Sequence, residues 1–179
     1  MVKNLRVRRE KLLNAAEGYL MLDMSQHALE CLDSIIDPER AQFATHYLRG
    51  MVLRHMGQHQ AALDAFDVAL DEQPEHLSLL LAMAWCYKRT DRLEQAINMM
   101  EQAYAAQPTE PIVLYNLACY WALAGNKPQA LSWLGRALRM NHDLKRLVSD
   151  EQDFNQLRND PDFELLVGLT GAGDTPTDA

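Results

Sequence analysis

The stretch GMVLRHMGQHQAALDAFDVALDEQP, residues 50–74, decides how this chain folds. It opens on Gly50, turns at Gly57, carries Ala62-Leu63, Phe66 and Ala69-Leu70 at helical spacing, and closes on Pro74. The same texture returns at an interval of 34 residues. Gly50, Ala84 and Ala118 hold one rung, Ala62, Ala96 and Ala130 a second, and Ala69, Ala103 and Ala137 a third. Ala16 and Ala28 carry the first two ladders one step toward the N-terminus, and Pro74 and Pro108 close successive segments. A small residue lets two helix backbones approach closely, so each ladder marks a helix crossing built repeatedly. A fixed period of this size predicts a stack of helix pairs.

Punctuation between the helices agrees. Gly57 and Gly125 stand where the first helix of a pair must end in a left-handed residue. Ser25 is expected to cap a second helix, and Asp37-Pro38 to open the next first helix. Asp91 with Glu94, and Asn126 with Gln129, have the spacing of capping boxes. Pairs this short bury their apolar faces only against neighbours, so the stack needs covered ends.

The residues that carry the period resemble the tetratricopeptide repeat family, whose unit is a 34-residue helix pair. The match runs through Gly50, Gly57, Ala62, Phe66, Ala69 and Pro74, then Ala84, Tyr87, Ala96, Ala103 and Pro108, then Ala118, Trp121, Gly125, Ala130 and Ala137. The resemblance implies an all-α, right-handed superhelical solenoid of about four helix-turn-helix repeats, at 9–42, 43–76, 77–110 and 111–144. The first repeat is degenerate, with Ile35 at the second-helix alanine position, and the fourth has His142 in place of the closing proline. After residue 144 the period stops. The run Asp153-Phe154, Leu157 to Phe163 looks like the ending of many bacterial proteins of this family and implies capping helices over 145–169. One domain, 1–169, is expected, followed by a disordered Gly/Thr/Asp tail at 170–179.

Charge and composition exclude several classes. Net charge is −8, which disfavours binding along a nucleic-acid backbone. The first eleven residues run against this: Lys3, Arg6, Arg8, Arg9 and Lys11 against Glu10 give +4, leaving −12 for the remainder. That start reads either as a solvated first turn or as a contact for an anionic surface. No apolar run approaches the ~18 residues of a membrane span, and Asn14 and Glu17 interrupt Leu12 to Leu22, so a signal peptide is not expected. Cys31, Cys86 and Cys119 form no CxxC pair, which points to reduced thiols and a cytoplasmic protein.

Catalytic signatures are missing. The chain has no Gly-rich phosphate loop, no nucleophile elbow and no HExxH. His55 and His59 are four apart, but Gly57 breaks the helix between them. Asp150, Glu151, Asp153, Asp160 and Asp162 lack the spacing of a calcium loop. A non-enzyme without metal or cofactor is expected.

Function then rests on the concave groove that first helices line in this family. One stripe of each first helix packs, and the neighbouring stripe faces the groove. The register places Leu13, Glu17, Leu20 and Met21 there in repeat one, and Tyr47, Met51, Arg54 and His55 in repeat two. Repeat three supplies Leu81, Trp85, Lys88 and Arg89, and repeat four Tyr115, Cys119, Ala122 and Leu123. Aromatic, Met and Arg side chains dominate binding hot spots, so the implied partner is a peptide or helical segment with apolar anchors and some acidic character. Tyr47 and Trp85 have a second reading, as packing residues, and the C-terminal segment itself is a third candidate to fill the groove. Some family members clamp a C-terminal carboxylate; Lys88, Arg89 and Asn116 fit that pattern, but Leu13 and Glu17 occupy the first-repeat positions.

Two functions follow. One is a scaffold or adaptor that binds a partner segment. The other is a chaperone similar to those that hold hydrophobic translocators in bacterial type III secretion, against which stand the fourth repeat and the Phe154 to Phe163 ending. Self-association through Leu5 and Leu12 is a further possibility.

Overall fold

The computed structural model describes residues 2–35 and 42–168. Asp37-Pro38 and the tail from 170 lie outside them. Among the described residues all regular structure is helical. The chain divides into two compact units, Met1–Ala106 and Gln107–Ala179. The first holds α1 (Val2–Met21), α2 (Ser25–Asp33), α3 (Gln42–His55), α4 (His59–Glu72), α5 (Leu77–Arg89) and α6 (Leu93–Ala106). The second holds α7 (Pro111–Leu123) and α8 (Lys127–Met140), then a 3-10 turn at His142–Leu144, α9 (Lys145–Val148), a 3-10 segment at Gln152–Leu157 and α10 (Pro161–Val167).

The small-residue ladders are where the helices meet. Ala16, Ala28, Ala62, Ala69, Ala84, Ala96, Ala103, Ala118, Ala130 and Ala137 are all fully buried. Gly50 is buried as well, and a methyl group added there would run into the ring of Phe66 on the paired helix α4. The absent side chain is what lets α3 lie against that ring.

Each pair turns on one repeated joint. Asp23, Gly57, Asp91 and Gly125, 34 residues apart, all take left-handed φ, at 61°, 75°, 57° and 72°. In all four the next residue donates its N–H five residues back: Met24 to Tyr19, Gln58 to Leu53, Arg92 to Tyr87 and Asn126 to Trp121, at 2.8–2.9 Å. The left-handed residue itself donates three residues back, for example Gly57 to Arg54 at 3.0 Å. These are Schellman closures, which satisfy carbonyls that the helix end leaves open.

Two local expectations are corrected here. Asp91 does not open a capping box, because the joint needs it in the left-handed region. Ser25 is the first helical residue of α2 rather than its cap, and the cap position falls to Met24. Asn126 does cap α8, accepting from the Gln129 N–H at 3.2 Å.

In the second unit the residues after α8 fold back as a lid. Phe154 and Phe163 are fully buried, with ring centroids 5.5 Å apart. Asp160 caps α10 by accepting from the N–H groups of Asp162 and Phe163 at 3.0 and 3.3 Å. Lys127 in the first turn of α8 reaches Asp160 at 2.6 Å and Asp162 at 2.8 Å, tying α10 to α8.

Two substitutions test this account. Gly50→Ala forces the Phe66 ring out of its place and is expected to cost about 1–3 kcal/mol by overpacking, measured by denaturant unfolding. Asp91→Gly removes side-chain strain at a left-handed joint and is expected to raise stability by about 0.5–1 kcal/mol. A loss of stability from the latter would mean that the Asp91 carboxylate does more than fill a turn.

Candidate functional site

The site expected from the register divides between the two units, and its residues fare differently in each. In the first unit Tyr47 on α3 is half-buried. Its ring lies 5.5 Å from Phe43 in a stacked arrangement, 6.2 Å from Phe66 and 5.4 Å from His76. Packing therefore takes much of this side chain. What remains lines a pocket of about 290 Å³ with Leu13, Asn14 and Glu17 of α1 and Phe43, Ala44 and Leu48 of α3. Leu13, Glu17 and Tyr47 thus share one surface. Met51 and Leu81 are half-buried on α3 and α5.

Trp85 on α5 is open, 38% exposed. His59, at the start of α4, meets its ring edge-on at 5.0 Å and steadies it. The Arg54 guanidinium lies 5.5 Å from the ring centroid and that of Arg89 5.8 Å. Neither arginine forms a salt bridge among the described residues; the indole is the contact they share. Guanidinium over indole is favourable, worth about 0.5–1 kcal/mol at an exposed position, and it does not use the in-plane N–H donors with which a guanidinium pairs a carboxylate. Arg54 also opposes the burial that pushes the Cys86 thiol up to about 11, so that thiol is inert. Lys88, the residue before Arg89 on α5, is half-buried. His55 is committed elsewhere, its Nε2 lying 2.5 Å from Asp23 Oδ1.

In the second unit the expectation is corrected. Tyr115 and Cys119, placed in the groove by register, are 3% and 2% exposed. The 3-10 segment Gln152–Leu157 lies on this face of α7. Phe154 meets the Tyr115 ring edge-on at 6.0 Å, and the Glu151 and Asp153 carboxylates come within 4.8 Å of each other and of the Cys119 Sγ. Burial, then Cys119 and these carboxylates, hold the Tyr115 phenol far above its ordinary value, so it stays neutral. Tyr115 and Cys119 are therefore covered by the chain's own C-terminal segment, the third of the occupants considered from sequence. Asn116 remains half-buried.

Sequence reasoning missed Phe43 and His59 as neighbours of the two aromatics. Phe43 was signalled by its spacing four residues before Tyr47 on one helix. His59 carried no signal, since it reaches Trp85 across a helix pair.

Two models described as tetratricopeptide repeat match the chain, over residues 42–109 and 81–162. Cellulose synthase operon protein C of Pseudomonas fluorescens (strain SBW25) is 29% identical over 133 residues, 69% of this chain and 10% of that protein. The chain thus spans about a tenth of that relative's length. Among solved structures, Pseudomonas aeruginosa pilF superposes with a TM-score of 0.75 at 15% identity, over 93% of this chain and 74% of that one. Residues 41 to the end of MamA from Desulfovibrio magneticus RS-1 give 0.71 at 17%, over 94% and 98%. YrrB, described as a TPR protein with an unusual peptide-binding site, gives 0.67 at 19%, over 74% and 68%. At these identities the likeness to the solved structures is one of fold.

The lid on α7 is directly testable. Phe154→Ala should loosen the 3-10 segment and expose the Cys119 thiol, giving one more rapidly reacting thiol with a disulfide reagent under native conditions. Unchanged reactivity in a folded variant would show that Phe154 does not hold the cover.

Proposed function

We propose that this chain, which belongs to the tetratricopeptide repeat family, is a non-catalytic interaction module that binds a peptide or helical segment of a partner protein. The binding face is the first-helix stripe of α3 and α5, with Tyr47, Met51, Leu81 and Trp85 as apolar anchors and Arg54, Lys88 and Arg89 as the polar rim. The observation that carries this reading is Trp85. A large aromatic with 38% of its surface in water, flanked by two guanidiniums, has the composition of a binding hot spot. The arginines favour a partner with acidic character. YrrB, of the same fold, is described as having a peptide-binding site, which supports the class of ligand.

The scaffold or adaptor reading is preferred to a secretion-type chaperone for a hydrophobic translocator. The cover over Tyr115 and Cys119 removes two apolar positions that such a chaperone would use. Co-expression separates the two: a chaperone client becomes insoluble without this protein, whereas an adaptor's partner folds alone. Action in the cytoplasm agrees with three cysteines without a disulfide, and no described helix is long and apolar enough to cross a membrane.

Affinity capture identifies the partner, and association kinetics with variants then test the face. Trp85→Ala should weaken binding by about 2 kcal/mol or more, roughly 30-fold. Arg89→Glu should slow association and flatten its dependence on salt. If Trp85→Ala lowers the melting temperature while the folded fraction binds normally, Trp85 is a packing residue and the face is wrongly assigned.

A further inference from the structure

The C-terminal segment shows what one copy of this face accepts. Tyr115 and Cys119 on α7 occupy the register of Leu81 and Trp85 on α5, 34 residues earlier. At the α7 copy Phe154 fills the place over Tyr115, and the Glu151 and Asp153 carboxylates gather at Cys119. The occupant is thus the cap residue and first turn of the 3-10 segment, Glu151-Gln152-Asp153-Phe154, which offers two acids followed by an aromatic anchor.

Transferred to α5, the aromatic would fall at Leu81 and the acids at Trp85. The charges there are the complement of that pattern. Arg54 and Arg89 both turn toward the Trp85 ring, and neither has a carboxylate partner among the described residues, in a chain with 25 acidic residues to offer. Cations left without a carboxylate in an acidic protein point to an acid supplied from outside. One period on, the position of Arg89 is Leu123 and that of Arg54 is Lys88, so the Arg89 cation has no counterpart on α7.

We propose that the open face of α3 and α5 recognises a partner segment of the same chemistry as the chain's own cover: one or two carboxylates directly followed by an aromatic residue, held in a short turn. This rests on the peptide-binding reading above and narrows it. The aromatic enters the half-buried surface beside Leu81, and the carboxylates bridge Arg54 and Arg89 across the Trp85 face. Bidentate guanidinium–carboxylate pairing fixes the register of the segment, and the apolar anchor supplies most of the affinity.

The probe is a fluorescein-labelled peptide with the sequence of residues 149–160, titrated into the full chain and read by anisotropy. Saturable binding is expected, weakened about tenfold or more when the peptide carries Phe154→Ala or the pair Glu151→Gln and Asp153→Asn. The same loss is expected with Trp85→Ala in the receptor. Arg89→Glu, a change at an exposed position, gives a second receptor variant that keeps its fold. If the peptide binds equally to both receptor variants, or binding tracks a rise in Cys119 thiol reactivity, it is replacing the native cover on α7 and the proposal is overturned. Absence of saturable binding also overturns it. A displayed library of random peptides distinguishes that failure from failure of the broader reading. Binders of other chemistry that depend on Trp85 leave the interaction module standing, and a library without Trp85-dependent binders removes both.

Discussion

Close approach of two helix backbones, repeated at one interval, is the constraint on which the structure depends. It is met by matching volumes across each pair. Phe66, Met100, Leu134 and Leu32 stand at one register of the second helices, and Gly50, Ala84, Ala118 and Ala16 at the matching register of the first. Phe66, Met100 and Leu134 are fully buried and Leu32 is 2% exposed. The one glycine among the four belongs to the pair with the phenylalanine, and its hydrogen makes room for the ring. Close-packed interiors tolerate little change in volume, so the ladder of small residues and the ladder of large ones are a single feature.

The joint between helices carries that spacing into function. A left-handed residue with its two back-bonded amides ends each first helix in the same way, which fixes where the last turn of that helix points. Cations are favoured there by the partial negative charge at a helix C-terminus, and α3 and α5 end in Arg54-His55 and Lys88-Arg89. The helix dipole alone accounts for basic residues at those positions. It does not account for Arg54 and Arg89 converging on one exposed indole, which is a property of the surface and not of either helix.

The period made the fold legible: residues 34 apart need the same environment, and the buried alanines and the four joints obey it. Where a local motif competed with the period, the period was the better guide. Asp91-x-x-Glu94 has the spacing of a capping box, but Asp91 falls on the register of Asp23, Gly57 and Gly125, and the joint prevailed. The site was legible only in part. Helical register shows which stripe of α7 carries Tyr115 and Cys119, and it carries no information on whether a later segment lies across that stripe. The covering residues lie beyond the last repeat, where periodicity has ended. Tyr47 was ambiguous for a different reason, because one ring stacks on Phe43 with part of its surface and lines a pocket with the rest.

The contrast between the two copies of this face has a physical logic. A segment tethered a few residues after α8 is held at high effective concentration near α7, so docking needs neither charge nor long-range attraction. Buried area from Phe154 and Phe163 is enough, and α7 accordingly ends in Ala122 and Leu123 without a cation. A segment arriving from another molecule has no tether. It must be drawn in against the repulsion of a chain whose net charge is −8 if it is itself acidic, and Arg54 and Arg89, which have no carboxylate partner among the described residues, do that work most effectively. Arg54 and Arg89 belong to the copy of the face that the chain does not cover for itself. The arrangement separates a surface closed by connectivity from one left open and charged.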